Sequence, residues 1–432
     1  MYGGSTTSIL VNIPGEAASV VTCLDGYQMA RQGRAGPALG IAAFGSFIAG
    51  TLSVVGLMIA APPIAKFALR FGPPEYFSLI FMAFSMVIYL ASGSLLKAVM
   101  VMSAGVFLGT IGIDFVTGEE RFVYGNLTLS DGIGLVPVVM GLFGIAEVLE
   151  NLEKEAAKIT IVKPKMKNLL PTLSDWKASI GPIFRGTFLG FFLGTLPGGG
   201  AIMGSFASYA LEKKISKKPE QFGKGAIEGV AGPESANNAA STSNFIPLLT
   251  LGMPANAVMA LLLGALMIHG VRPGPSLIND YPDIFWGVVT SMYLGNIMLV
   301  ILNVPMIGLW VRLLSIPYRI LFPLIIFFCV VGAYSLNNNI WEIIIMIIFG
   351  IIGYIMRKFK YEAAPFTFAF VLGPLLEESL RQSLLMSEGT VGIFFTRPIS
   401  CTLMVIGIVL FFIQASPQFK RKQLRGYIMS IF

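Results

Sequence analysis

Charge is what this chain has least of. Of its 432 residues only 12% are Asp, Glu, Lys or Arg, about half the ~25% of a soluble globular protein. The solvated surface that such a protein needs is missing. This excludes an ordinary cytosolic or secreted domain, a nucleic-acid reader and a disordered chain. Histidine is almost absent, with one in the chain, and the three cysteines (Cys23, Cys329, Cys401) stand far apart without CxxC spacing. No zinc or other resident metal site can be assembled from that material. A Ser/His/Asp or Cys/His catalytic constellation is equally out of reach, so the chain does not read as an enzyme. The cysteines read as small buried hydrophobes.

What is present is apolar: 55% hydrophobic residues, with 48 Gly and 25 Pro. This composition points to an all-α polytopic membrane protein whose helices are broken as well as packed. The net charge of +7 reads as basic loops on one side of a bilayer, not as a nucleic-acid footprint.

A spanning helix needs about 20 apolar residues. Charge-free windows lie at 34–66, 75–97, 97–114, 131–147, 185–212, 234–272, 283–312, 319–342, 342–357, 362–377 and 397–420. They predict about ten transmembrane helices plus re-entrant or discontinuous ones. The 342–357 and 362–377 windows are short enough to predict tilted, partial or re-entrant segments.

Basic residues cluster in four places: 154–177, 213–224, 357–360 and 420–425. Placing all four in the cytoplasm gives a consistent path, with the C-terminus inside. The acidic loop holding Asp114, Glu119, Glu120 and Asp131 then lies outside. Window 185–212 begins and ends on the same side, so it must dip in and return. At its midpoint stands Leu196-Pro197-Gly198-Gly199-Gly200-Ala201, which breaks a helix. The segment 185–211 is therefore predicted to be a re-entrant helical hairpin.

Two stretches resemble each other. Residues 5–37 read STTSILVNIPGEAASVVTCLDGYQMARQGRAGP, and residues 241–275 read STSNFIPLLTLGMPANAVMALLLGALMIHGVRPGP. Both open on hydroxyl residues, reach a Pro that starts a helix (Pro14, Pro254) and end on a basic residue before Gly-Pro. On the loop-charge topology the two copies run in opposite directions, as in the inverted repeats of secondary transporters. The organisation expected is a first half at 1–149, a cytoplasmic linker at 150–180, a second half at 181–416 and a basic tail at 417–432. The second half would hold the hairpin and a discontinuous helix at 235–270.

Polar side chains concentrate at the breaks of the repeat: Ser5, Thr6, Thr7 and Asn12 in one copy, and Asn237, Asn238, Ser241, Thr242, Ser243 and Asn244 in the other. Amides, hydroxyls and freed backbone groups suit a carboxylate and a hard cation. Such residues also glue helices together. Asp25 and Glu234 are candidate coupling acids, while Arg185 and His269 are candidate anion contacts. Gly186, Gly190, Gly194 and Gly198 form G-x-x-x-G steps, which bring helix backbones close. The Gly198–Gly200 run is followed by no Lys, so a phosphate loop is not expected.

The motifs YGGSTTSILVNIPGE, LGTLPGGGA, GPESANNAA and LTLGMPANAVMALLLGALMIHG make a specific resemblance. With them the chain resembles the large transmembrane subunit (TctA) of the tripartite tricarboxylate transporter family. The likeness extends over the whole chain, through NVPMIGLWVRLLSIPY and LGPLLEESLRQSLL. It implies an ion-driven importer in a bacterial inner membrane, with Na⁺ or H⁺ as coupling ion and no other cofactor. It also implies a small four-helix membrane subunit, a periplasmic solute-binding protein and citrate or a related carboxylate as substrate. The Ser, Thr and Asn positions above, with the tip at Gly198, Gly199 and Gly200, would form the translocation site. Members of that family carry a further stretch before YGGST, so this sequence is expected to lack an N-terminal segment. The alternatives are a stand-alone anion symporter and a non-transporting truncated membrane paralogue or scaffold.

Overall fold

The computed structural model describes residues 2–12, 14–90, 94–114, 117–153, 170–197, 200–307, 309–310 and 318–415. In chain order the first helices are α1 (Tyr2–Val11), α2 (Val20–Met29), α3 (Ala35–Ala68), α4 (Pro73–Leu90) and α5 (Leu95–Gly109). A short antiparallel ribbon follows, β1 (Gly112–Ile113) with β2 (Glu120–Arg121). Then come α6 (Leu127–Ser130), α7 (Leu135–Val139), α8 (Ala146–Glu153), α9 (Leu173–Gly194), α10 (Gly200–Ile215), α11 (Glu228–Ser243) and α12 (Phe245–Leu251). The chain continues through α13 (Ala257–Ile268), α14 (Leu277–Asp280), α15 (Pro282–Asn303) and α16 (Tyr318–Asn337). It closes with α17 (Ile340–Lys358), α18 (Ala363–Met386), α19 (Ile393–Thr396) and α20 (Pro398–Ala415).

Five helical stretches among the described residues are long and apolar enough to cross a bilayer: Ala17–Ala68, Leu135–Glu153, Pro282–Asn303, Ile320–Asn337 and Ile340–Lys358. Leu95–Gly109, Ala257–Ile268 and Pro398–Ile413 are apolar but shorter. The chain is an all-α, multi-pass membrane protein. The two windows expected to be partial are full helices, of 19 residues in α17 and 24 in α18. Their bounding charges do not end them: Glu342 lies in the first turn of α17 and Glu377 inside α18. Glu342 is buried and accepts a hydrogen bond from Asn337 at 2.6 Å. Glu377 is held by Arg121 at 2.8 Å and by Arg381 at 3.3 Å.

The chain divides into two compact units that do not follow the expected sequential halves. One takes the described residues within Met1–Ala68, Ala156–Ala255 and His269–Leu321; the other takes those within Leu69–Glu155, Asn256–Ile268 and Phe322–Phe432. In the first unit α9 and α11 run parallel at the closest approach that backbones allow. A Cβ on Gly186 would stand 2.2 Å from the Gly232 carbonyl, one on Gly190 2.1 Å from that of Ala236, and one on Gly194 2.4 Å from the Ala240 Cα. Each pair is 46 positions apart, so the row is in register along both helices. Only Gly fits at such points, and this is the packing that small residues at i, i+4 spacing allow. α10 returns beside α9, with Gly200 close against Leu193 and Gly194. The break expected at 196–201 is therefore the turn of a helical hairpin, and Gly198 and Gly199 lie outside the described residues.

Three other boundaries differ from expectation. Residues 173–180, assigned to the linker, are the first two turns of α9, started by a capping box in which Thr172 and Asp175 exchange hydrogen bonds. The rest of that linker between 154 and 169, and the tail 417–432, lie outside the described residues. The polar helix expected from 235 begins at Glu228 and runs through Pro233, with Gly229 and Gly232 buried against Asp25 and Ser208.

In the second unit α4 pairs with α20 and α5 with α18. Arg397 meets Glu75 at 2.6 Å and Ser78 meets Ser400 at 2.7 Å. Gly105 and Gly109 lie against the carbonyls of Phe366 and Phe370. Asp114, Arg121, Glu377 and Arg381 form a closed set of two acids and two cations that ties the ribbon to α18.

Candidate functional site

α11 is a buried helix made of residues that are rarely buried together. Glu234, Ser235, Asn237, Asn238 and Ser243 are all nearly inaccessible. Such groups are costly out of water unless they are hydrogen-bonded; most find partners, while Ser235 Oγ and Asn237 Oδ1 are buried without one among the described residues. Gly232, Ala236 and Ala240 meet the glycine row of α9. The Glu234 carboxylate, with 0% exposure, accepts from the Ser5 hydroxyl of α1 at 2.5 Å and from the Thr22 hydroxyl of α2. Asn237 donates to Glu16 at 2.9 Å. Asn238 donates to Ser46 of α3 at 2.7 Å and to the Glu234 carbonyl at 3.0 Å.

The next turn of the helix opens on a cavity of about 570 Å³. Its wall is formed by Tyr2, Gly3, Thr6 and Thr7 of α1; Asn238, Ser241 and Thr242 of α11; and Phe245 of α12. α15 contributes Met292, Gly295, Asn296, Leu299, Leu302 and Asn303, and Trp310 closes the set. No side chain of this wall carries a formal charge.

The hydrogen-bond directions decide the chemistry of the α11 wall. Ser241 donates to the Asn237 carbonyl at 2.9 Å, and Thr242 donates to that of Asn238 at 3.2 Å. Across from them Thr7 donates to the Gly4 carbonyl at 3.0 Å. Each hydroxyl hydrogen, and the Asn238 amide hydrogens, are thus spent on the chain. What the Thr7, Ser241 and Thr242 hydroxyls and the Asn238 amide can still offer is acceptor oxygen. Two donors stand apart from this set. The Tyr2 hydroxyl is buried without a partner among the described residues, and the Asn296 amide packs against Gly50 of α3.

The model of the tripartite tricarboxylate transporter TctA family matches residues 1–368. The chain belongs to that family. It is 51% identical over 427 residues to an uncharacterized 52.8 kDa protein in the TAR-I ttuC′ 3′ region of Agrobacterium vitis, covering 99% of this chain and 85% of that protein. A second protein of Agrobacterium vitis, in the TAR-II ttuC′ 3′ region, is 52% identical over 234 residues, which are 54% of this chain and 97% of the relative. No solved structure matches. As a TctA-family protein, the chain is a multi-pass membrane subunit of the tripartite tricarboxylate transporter family.

The positions expected to form the site are sorted by the fold of this TctA-family chain. Thr6, Thr7, Asn238, Ser241 and Thr242 meet at the cavity. Ser5 and Asn237 stand behind it, holding Glu234 and Glu16. Ser243 turns towards Gly194 and donates to Ala240, Asn244 is buried, and neither lines the cavity. Gly200 starts α10 away from the cavity wall, and Gly198 and Gly199 lie outside the described residues. Asn12 is exposed and takes a left-handed conformation (φ 57°) at the end of α1, which Asn tolerates better than most residues.

Asp25 is away from the cavity. Its carboxylate accepts from the backbone N–H groups of Gly223 and Gly225 at 2.8 Å, from that of Ala226 at 2.9 Å and from the Tyr209 hydroxyl at 2.9 Å. These donors fill its acceptor sites and shape the loop before α11. His269 is exposed and lines no part of the cavity wall, while Arg185 is bound to Glu212. Asn296 and Asn303 escaped the sequence reading. Their signal was two amides seven positions apart, on one face of an otherwise apolar span.

Proposed function

We propose that this chain is the permease subunit of a binding-protein-dependent secondary transporter, importing citrate-like tricarboxylates or related carboxylates with a coupling ion. The observation that carries this reading is the neutral cavity on α11, whose largely apolar wall is broken by the hydroxyls and amides of Thr6, Thr7, Asn238, Ser241 and Thr242. A bare carboxylate gains nothing from such a wall. A carboxylate that enters with a monovalent cation does, because hydroxyl and amide oxygens replace the ion's hydration and the ion supplies the missing charge. Na⁺ therefore fits the wall better than a proton, while the Tyr2 hydroxyl and Asn296 amide remain as donors for the anion.

Glu234 is the acid nearest to this cavity in the sequence of α11, one turn before Asn238. Among the described residues it has no basic partner, only the two hydroxyls of α1 and α2. In this reading it is the second charge that the coupling ion answers to, and Asp25 is a structural anchor. Family membership supports the surroundings of this reading, a bacterial inner membrane with a small four-helix membrane subunit and a periplasmic solute-binding protein that hands over the substrate, and loop charge supports a cytoplasmic C-terminus. The two repeat copies would serve as oppositely oriented halves, with the α9–α10 hairpin dipping into the membrane.

The test is uptake of labelled citrate by cells that express the chain with its two partner proteins. Uptake should require both the binding protein and a Na⁺ gradient. Asn238→Ala combined with Ser241→Ala should lower it about tenfold or more, with unchanged membrane insertion. Uptake indifferent to the binding protein would remove the tripartite reading. Uptake driven equally well by a proton gradient without Na⁺ would remove the cation assignment.

A further inference from the structure

At the other end of α11 lies a second cavity of different chemistry, about 620 Å³ in volume. Four cations stand on its wall: Arg34, Arg185, Lys217 and Lys218. The two arginines are built in the same way. Arg34 pairs with Asp175 at 2.5 Å and Arg185 with Glu212 at 2.6 Å; both guanidinium side chains are 43% exposed, whereas the acids are only 9% and 2% exposed. Each acid is thus a buried post that fixes a cation whose outer face stays open. A guanidinium has five donors in a fixed fork. Arg185 gives Glu212 its Nε and Nη2, and Arg34 gives Asp175 its Nη2, so donors remain on both for a carboxylate. The lysines are exposed, and Glu228 is the wall's remaining acid.

The loop that forms part of this wall, Gly225 to Ile227, is the one that Asp25 gathers by its backbone N–H groups. The two cavities stand at opposite ends of one helix. From Glu228 to Ser241 is 13 positions, or about 20 Å at the rise of an α-helix. One end carries no charge on its wall; the other carries two arginines pinned by acids and two exposed lysines.

We infer that the basic cavity is a second anion station, which takes a di- or tricarboxylate through Arg34, Arg185, Lys217 and Lys218 on the side of the basic loops. The inference rests on the carboxylate reading above for the identity of its ligand. Guanidinium forks match carboxylates two atoms at a time, and several cations around one concave wall favour an anion with more than one carboxylate. An anion leaving the neutral cavity loses its coupling ion and needs a positive surface to receive it, and the basic cavity supplies one.

The experiment measures equilibrium binding of labelled citrate to the purified full-length chain in nanodiscs, at low and at high salt. The variants are Lys217→Gln with Lys218→Gln, which break no ion pair among the described residues, and Asn238→Ala with Ser241→Ala. Two classes of site are expected. The salt-sensitive class should weaken about tenfold in the lysine variant and be unchanged in the other. Acetate should compete for it far less well than citrate, and melting curves should match the wild type. The inference is overturned if the lysine variant binds like the wild type, or if the salt-sensitive class takes citrate, acetate and inorganic phosphate equally. Transport in proteoliposomes separates the two claims. A wild-type chain that moves no carboxylate, yet keeps the lysine-dependent citrate site, refutes the transport reading alone.

Discussion

Single residues in this protein do work that their type does not announce. Asp25 looked like a coupling acid because an ionisable residue in a membrane segment is a functional suspect. Its four donors make it a clamp on the 223–226 loop instead. Asp25→Ala leaves three backbone N–H groups and a tyrosine hydroxyl without an acceptor. It should cost about 3 kcal/mol or more, read as a lower unfolding midpoint in detergent. Asn12 likewise looked like a ligand and is a left-handed helix end. Glu234 carried its signal openly, as an acid inside GPESANNAA. Asn296 and Asn303 carried theirs by spacing alone and lay outside the repeat where polar residues were sought. Sequence shows which side chains are unusual for their surroundings; it does not show where their hydrogens go, and that separates a site from a support.

Helices were more legible than their ends. The glycine ladder of α9 predicted close packing, and Gly186, Gly190 and Gly194 stand against α11 as the spacing required. The start of α11 was misplaced because Glu234 bounds the charge-free window, whereas the helix carries that acid buried inside it. The row gives a sharp expectation. Gly190→Ala places a Cβ 2.1 Å from the Ala236 carbonyl, and forcing the helices apart should cost about 2 kcal/mol or more. Gly287→Ala on α15, where nothing lies within 4 Å, should be neutral or gain about 0.5 kcal/mol. Equal melting temperatures for the two variants would show that the row is not a packing constraint.

At the scale of the molecule, loop charge proposes an orientation that accessibility can check. Tyr124, 89% exposed beside the acidic ribbon, belongs outside; Lys217, among the basic loops, belongs inside. A cysteine at Tyr124 should react with a membrane-impermeant maleimide in intact cells, and one at Lys217 only after permeabilisation, above the background of the native cysteines. The reverse pattern would invert the topology. What sequence order could not reveal is that compact units take their helices from both halves of the chain. The windows were found one by one, but their partnerships depend on contacts hundreds of positions apart.

The two stretches that resemble each other in sequence also share a backbone feature. Asn12 and Gly252 each turn left-handed two positions before a proline, with φ of 57° and 69°, and Gly33 and Gly270 do so near the ends of the following helical stretches, with φ of 80° and 76°. Most residues are disfavoured in that region, which Gly and Asn enter most readily, although Phe122, Tyr124, Lys360 and Glu388 adopt it elsewhere in this chain. A likeness carried by the sign of a dihedral angle survives exchange between Gly and Asn, and so can outlast the matching of residues.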